Sequence, residues 1–147
     1  MLNRLLHYYW RLRRGMTLGV RAVVLGPEGV LLVRHGYAAG WHLPGGGVEP
    51  GETFGQALAR ELAEETGVRL TVPPELHGIF QFEAASKRDH VAVYVVRGFE
   101  RWAAPKPNWE IREARFFPLD ALPEDASAGV RRRLEEILQG REKGEGW

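Results

Sequence analysis

The sequence predicts a mixed α/β fold, in which a sheet built partly of hairpins carries one central helix and one closing helix. Three observations point there. Two β-rich segments, Thr17–Leu25 and Val30–Arg34, flank the turn signal Gly26-Pro27-Glu28-Gly29 and read as a hairpin. Residues 53–67 read as one short, sharply punctuated helix. Residues 126–138 carry Val130, Leu134 and Leu138 in helical step. Strands and helices do not alternate regularly, so a repeated βαβ arrangement is not expected.

Taken in order, residues 1–16 are expected to form a basic, aromatic arm, helical over 2–14. Packing of Leu5, Tyr9 and Leu12 on the domain or on a partner subunit, which would make a homodimer, is one use for it. Contact with a membrane surface or RNA through Arg4, Arg11, Arg13 and Arg14 is the rival use. After the hairpin, Trp41-His42-Leu43-Pro44 leads into a glycine loop, and Pro44 keeps helix from running through. The central helix has a capping box in Thr53 and Gln56 and a C-terminal cap in Gly67. Ala57, Leu58, Ala59, Leu62 and Ala63 supply its packing surface. Leu76–Phe82 and His90–Phe99 are the next strands, the second β-branched and apolar enough to be buried. Residues 100–109 read as a loop around Pro105 and Pro107, Ile111–Phe117 as a short strand, and Ala126–Leu138 as the closing helix. The domain is expected to span 17–139, with 140–147 as a flexible polar tail.

Composition narrows the function classes. A chain of 147 residues with 44% hydrophobic content supports one domain with a real core. Twenty Lys plus Arg against nineteen Asp plus Glu leave a net charge of +1, so nothing draws the chain toward nucleic acid, which is not an expected partner. There are no cysteines, which excludes disulfides, thiolate metal sites and a cysteine nucleophile. No apolar run approaches the ~20 residues of a membrane span. The first residues do not read as a signal peptide, so a cytoplasmic protein is the default expectation.

The most informative stretch is residues 45–68, a glycine-rich loop running into a helix that carries Glu61, Glu64 and Glu65. Spacing of i, i+3 and i+4 puts the three carboxylates on one side of the helix. Like charges that close need a positive partner, and a hard divalent cation prefers oxygen ligands. A solvated acidic helix face is the bland alternative. The glycines, the caps and Arg60 argue against it.

Gly46, five residues, Glu52, seven residues and then Arg60-Glu61-Leu62-Ala63-Glu64-Glu65-Thr66-Gly67-Val68 resembles the Nudix box of the MutT-like Nudix hydrolases at every defined position. The box covers 23 of 147 residues; looser resemblance extends to Trp41-His42-Leu43-Pro44 before it and to Glu110–Leu122 after it. The resemblance implies an α/β/α sandwich with a mixed sheet, a catalytic loop-helix and a C-terminal helix. It also implies hydrolysis of a diphosphate linkage in a nucleoside diphosphate linked to another moiety, with Mg²⁺ or Mn²⁺ as cofactor. Carried onto this chain, Glu61, Glu64 and Glu65 become metal ligands, with the Gly45 carbonyl as a further one. Arg60 becomes the residue that orients the glutamates, and Glu52 supports the loop and helix or the metal shell.

Metal ions would cancel diphosphate charge and lower the pKa of water, and a carboxylate not fully engaged with metal would take the proton. Glu64 is one candidate base. Glu110 and Glu113, on the late segment, are candidates for base or extra ligand, against a plain reading as exposed charges. Weaker substrate-binding candidates are Arg34 and His35 for phosphate, Arg88 and His90 in the polar cluster Lys87-Arg88-Asp89-His90, and Trp41 or Phe82 for stacking on a base. An aromatic beside a core is more often part of it.

The substrate stays open among nucleoside triphosphates, nucleoside diphosphate sugars, dinucleotides and capped or triphosphorylated RNA. Some subfamilies carry a proline or tyrosine a short way past the box; Glu83-Ala84-Ala85-Ser86 has neither, which speaks against ADP-ribose and diadenosine polyphosphates. The rival from another class is a Nudix-fold sensor that binds a nucleotide without cleaving it; intact box glutamates argue against that.

Overall fold

The computed structural model describes residues 6, 7, 9, 11, 13–82, 86–103 and 105–147. Leu5, Leu12 and Arg4 of the arm lie outside the described residues, as do positions 83–85. Residues 6, 7, 9, 11 and 13 are helical.

Two hairpin-forming strands come first, β1 (Thr17–Gly26) and β2 (Gly29–His35), with the tight turn expected between them. Helix α1 (Phe54–Thr66) follows, then β3 (Val68–Leu70), β4 (Glu75–Gln81), β5 (Asp89–Val96), β6 (Phe99–Arg101), β7 (Ile111–Phe117) and α2 (Ala128–Gln139). Five strands form a mixed sheet in the order β4-β5-β1-β2-β7. Within it β1 and β5 run parallel, and the other neighbours are antiparallel.

Strand β1 shows why the sheet is covered on both faces. Its side chains alternate with period two. Val20, Ala22 and Val24 pack with Ala57, Leu58 and Leu62 of α1. Val23 and Leu25 pack with Trp41, Val130 and Leu134 on the α2 side. The result is the α/β/α sandwich. Helix α1 begins at the capping box: Gln56 N–H donates to the Thr53 hydroxyl at 3.2 Å, and Thr53 N–H donates to Gln56 Oε1 at 2.9 Å. It ends at Gly67, whose φ of 70° is the left-handed conformation glycine adopts without penalty. No helix among the described residues is long and apolar enough to cross a membrane.

One expectation needs correction. The 100–109 loop starts with a strand, because β6 pairs with β3 as a separate two-stranded ribbon. Three-residue strands carry little periodicity; their partner defines them. The tail, expected to be flexible, lies against β4. Gln81 N–H donates to Glu145 O at 3.0 Å, and Trp147 N–H donates to Gln81 O at 2.9 Å. Trp147 meets Phe82 edge-on at 5.5 Å.

Under the tail lies a buried polar group of α2. Arg133 is fully buried, donates to Glu136 Oε1 at 2.8 Å, and has its guanidinium 3.7 Å from the Phe80 ring centroid. His77 Nε2 lies 2.8 Å from the other Glu136 oxygen. A buried cation left without its carboxylate is strongly destabilising. Glu136→Ala should therefore lower the unfolding free energy by about 3–5 kcal/mol, measured by urea denaturation with Glu136→Gln as the milder control.

Candidate active site

Strands β1 and β2 stay paired only near their turn, at Leu25↔Val30 and Gly26↔Gly29. Beyond it they diverge, and the segment from Trp41 to Val48 fills the gap. Val33 and His42 exchange two backbone hydrogen bonds of 2.9 Å on the β2 side. On the β1 side Ala22 N–H donates to Pro44 O at 2.9 Å, Val20 N–H to Gly46 O at 2.9 Å, and Val48 N–H to Leu18 O at 2.8 Å. The glycine loop is thus laced into the sheet. Side chains would not fit there: a Cβ on Gly45, whose φ is 141°, would lie 2.1 Å from Val20 O, and one on Gly46 would lie 2.3 Å from Glu61 Oε1. The missing Gly46 side chain is what gives the Glu61 carboxylate its seat.

The three glutamates of α1 share a side of the helix but not an environment. Glu65 is buried and accepts the Gly45 N–H at 2.8 Å. The Glu61 side chain is 13% exposed, that of Glu64 61%. They do not converge on one point, and among the described residues no group of three or more His, Asp or Glu is gathered ready to hold a metal ion.

Arg60 organises the acidic side. Its Nε and Nη2 hold Glu52 bidentately at 2.7 and 3.0 Å. Nη1 donates to Glu61 at 2.8 Å and to Glu64 at 3.4 Å, and Nη2 reaches Gly47 O at 3.0 Å. The positive partner that the carboxylates need is here a guanidinium. The hydrogen bond to Arg60, helped by the Glu49 N–H, holds Glu52 down to about 2.

Burial works the other way on the deeper pair. Desolvation raises Glu61 above its ordinary value, opposed by the Arg60 hydrogen bond. Burial pushes Glu65 up to about 8, against the Gly45 N–H and the charge of Arg21; the charges of Glu61 and Glu110 push the same way as burial. Arg21, on β1 and itself lowered by burial, faces Glu65, Tyr37 and Glu61 electrostatically. The fit to a hard cation rests on this. The donors are all oxygen, the Glu61 and Glu65 carboxyls are both desolvated, and the charge of Glu61 adds to burial in raising Glu65.

Glu61 and Arg21 open onto a cleft of about 430 Å³, whose lining does not include Glu52, Arg60, Glu64 or Glu65. Of the site residues expected from sequence, Gly45, Glu61, Phe82, His90 and Glu110 line it. Glu110 is placed by a turn in which Asn108 Oδ1 accepts its N–H at 2.8 Å. Glu113 is elsewhere, exposed and 3.6 Å from Arg115. Arg34 binds Asp125 at 2.8 Å and, with His35, lines a separate hollow of about 460 Å³. His35 stacks on Tyr37 at 4.9 Å, and burial, then Arg21 and His42, lowers it to about 4. Trp41 is not available for stacking on a base: it is 2% exposed and meets Phe117 edge-on at 4.7 Å. Arg88 lies outside the cleft and reaches Gly15 O at 3.5 Å. Sequence reading missed Arg21, Tyr37 and Trp147, all of which line the cleft. The signal for Arg21 was a lone cation within the run of valines in β1.

Residues 15–137 match the NUDIX domain family profile. The chain belongs to the Nudix family. Among solved structures this Nudix chain is similar to a NUDIX hydrolase from Nitrosomonas europaea, at 26% identity and a TM-score of 0.70 over 90% of this chain and 99% of that one. A MutT NUDIX hydrolase from Burkholderia pseudomallei matches at 26% identity and 0.70, over 82% and 97%. Among curated proteins it is 33% identical to the oxidized purine nucleoside triphosphate hydrolase of Danio rerio over 69% of this chain, and 38% identical to an ADP-ribose pyrophosphatase of Methanocaldococcus jannaschii over 55%. The matched segments span 65% and 47% of those two proteins.

The raised pKa of Glu65 has a pH signature. Between its ordinary value of 4.5 and about 8 the folded state holds a proton that the unfolded state has lost. The stabilisation is therefore complete below 4.5 and is lost as pH rises toward 8. Urea unfolding of metal-free protein from pH 5 to 9 should show wild type losing stability relative to Glu65→Gln. Parallel curves would contradict the assignment.

Proposed function

We propose that this Nudix chain hydrolyses a diphosphate linkage in a nucleotide or nucleotide derivative, using Mg²⁺ or Mn²⁺. The observation that carries the reading is the pair Glu61 and Glu65, one helical turn apart and desolvated against the glycine loop, with Glu61 lining the cleft. Glu61, Glu64 and Glu65, with the Gly45 carbonyl, would hold the ion. When bound, it would offset the charge of the diphosphate and acidify an attacking water.

The chain's own residues supply the rest. Arg60 ties Glu61 and Glu64 to Glu52 and fixes the loop through Gly47 O. The open backbone at Gly47, where a Cβ would meet nothing within 4 Å, leaves room for phosphate. Water oxygen adds to phosphorus, the bridging P–O bond breaks, and the water proton passes to a carboxylate. Glu64, solvent-facing and bound only at 3.4 Å, and Glu110, in the cleft, are the two acceptors proposed. The relatives named as nucleotide hydrolases support the nucleotide class. The substrate is proposed within it, and the site is proposed to work in the cytoplasm.

The test is turnover of a mixed nucleotide panel with Mg²⁺, run in ¹⁸O-labelled water so that the labelled product names the phosphorus attacked. Chelator should abolish turnover and Mg²⁺ restore it. Glu61→Gln should lower kcat by about 10²-fold or more, while Glu113→Gln stays near wild type. Tight nucleotide binding with no turnover across the panel would instead make the chain a non-catalytic nucleotide sensor.

A further inference from the structure

The cleft has an aromatic wall that the acidic helix does not explain. It is formed where the tail returns to the sheet. Trp147 and Phe82 meet edge-on at 5.5 Å and 78°, and both line the cleft beside Asp89 and His90. Two aromatic rings set at a right angle make a corner, and a planar ring entering it finds a face on one and an edge on the other.

The tail is held there by several independent bonds. Gln81 exchanges backbone hydrogen bonds with Glu145 and Trp147. Arg132 Nη1 donates to the main-chain oxygen of Trp147 at 2.7 Å, and Arg133 reaches Gly146 O at 3.4 Å. Lys143 Nζ donates to His77 O at 2.7 Å. Helix α2 makes the room: Gly129, its second residue, has no side chain there. A Cβ at Gly129 would lie 2.3 Å from Trp147 Nε1. The glycine gap and the indole fit one another.

We propose that Trp147 is a specificity-determining residue whose indole, with Phe82, receives the planar heterocyclic base of the nucleotide, and that Gly129 is the positioning residue that lets it reach the cleft. This rests on the nucleotide reading above. Asp89 and His90 offer an acceptor and a ring nitrogen to the edge of the base. The diphosphate would then extend toward Gly47 and Glu61, which line the same cleft.

The experiment measures binding, so it separates this inference from hydrolysis. Methylene-bridged, non-hydrolysable nucleoside diphosphates carrying adenine, guanine, cytosine or uracil are titrated calorimetrically into the full chain, with methylenediphosphonate as the base-free probe. Wild type should prefer at least one nucleoside probe to the base-free one. Trp147→Ala should weaken that probe by about 10-fold, the scale of one base–aromatic stack, and leave methylenediphosphonate unchanged. Trp147→Phe should recover most of the loss. Gly129→Ala should reproduce the loss while the thermal midpoint holds, and should add nothing in the Trp147→Ala background. No base preference in wild type, or Trp147→Ala binding both probes like wild type, or weakening both equally, overturns the proposal. Base-dependent binding without any turnover of hydrolysable nucleotides would leave it standing and sink the hydrolase reading.

Discussion

The site depends on a backbone constraint: two strands that part must have their exposed N–H and C=O groups satisfied. Strands β1 and β2 separate beyond their turn, and a buried edge with unpaired groups is costly. The segment from Trp41 to Val48 answers both edges at once, bonding Val33 on one side and Val20 and Ala22 on the other. Gly45 and Gly46 are needed because the Val20 carbonyl and the Glu61 carboxylate leave no space for their Cβ atoms. The loop therefore cannot drift, and α1, which follows it directly, is delivered with Glu61 and Glu65 over a fixed floor.

Charge is then distributed by depth. Outside, Arg60 binds Glu52 and the exposed Glu64 and reaches in to Glu61, and its hydrogen bonds keep Glu52 ionised. Inside, Glu65 is left with a peptide N–H and the indirect field of Arg21, which do not offset desolvation. Glu52, just before the helix, is thus held charged, while Glu65 on the helix favours its proton. A cation entering the cleft would meet groups whose ionisation it favours, while Arg60 already holds the outer ones in place.

The legible parts of the sequence were local ones. The capping box at Thr53 and Gln56, the cap at Gly67 and the acidic spacing are encoded within a few residues, so their geometry follows from helix rules alone. The illegible parts needed a partner distant in sequence. Trp41 looked like a stacking residue, but Trp41 N–H donates to Asp125 O and Ser127 N–H to Trp41 O, which docks it under α2. Glu110 and Glu113 looked equivalent; a turn at Asn108 puts the first in the cleft, while the second joins Arg115. The tail looked polar and loose because nothing within it signals that Gln81 offers both a donor and an acceptor to it.

What the sequence determined by itself was a glycine loop and an acidic, capped helix whose spacing matches the Nudix box, and strand and helix patterns that suit a mixed sheet with helices packed on it; the helix on each face was implied by the resemblance. These are short-range features, set by dihedral preferences and side-chain spacing. Only the tertiary structure decided where the cleft lies and what lines it. Arg21, Tyr37, Glu110 and Trp147 come from four separate segments, and strand pairing and tail docking across long stretches of chain bring them to one place.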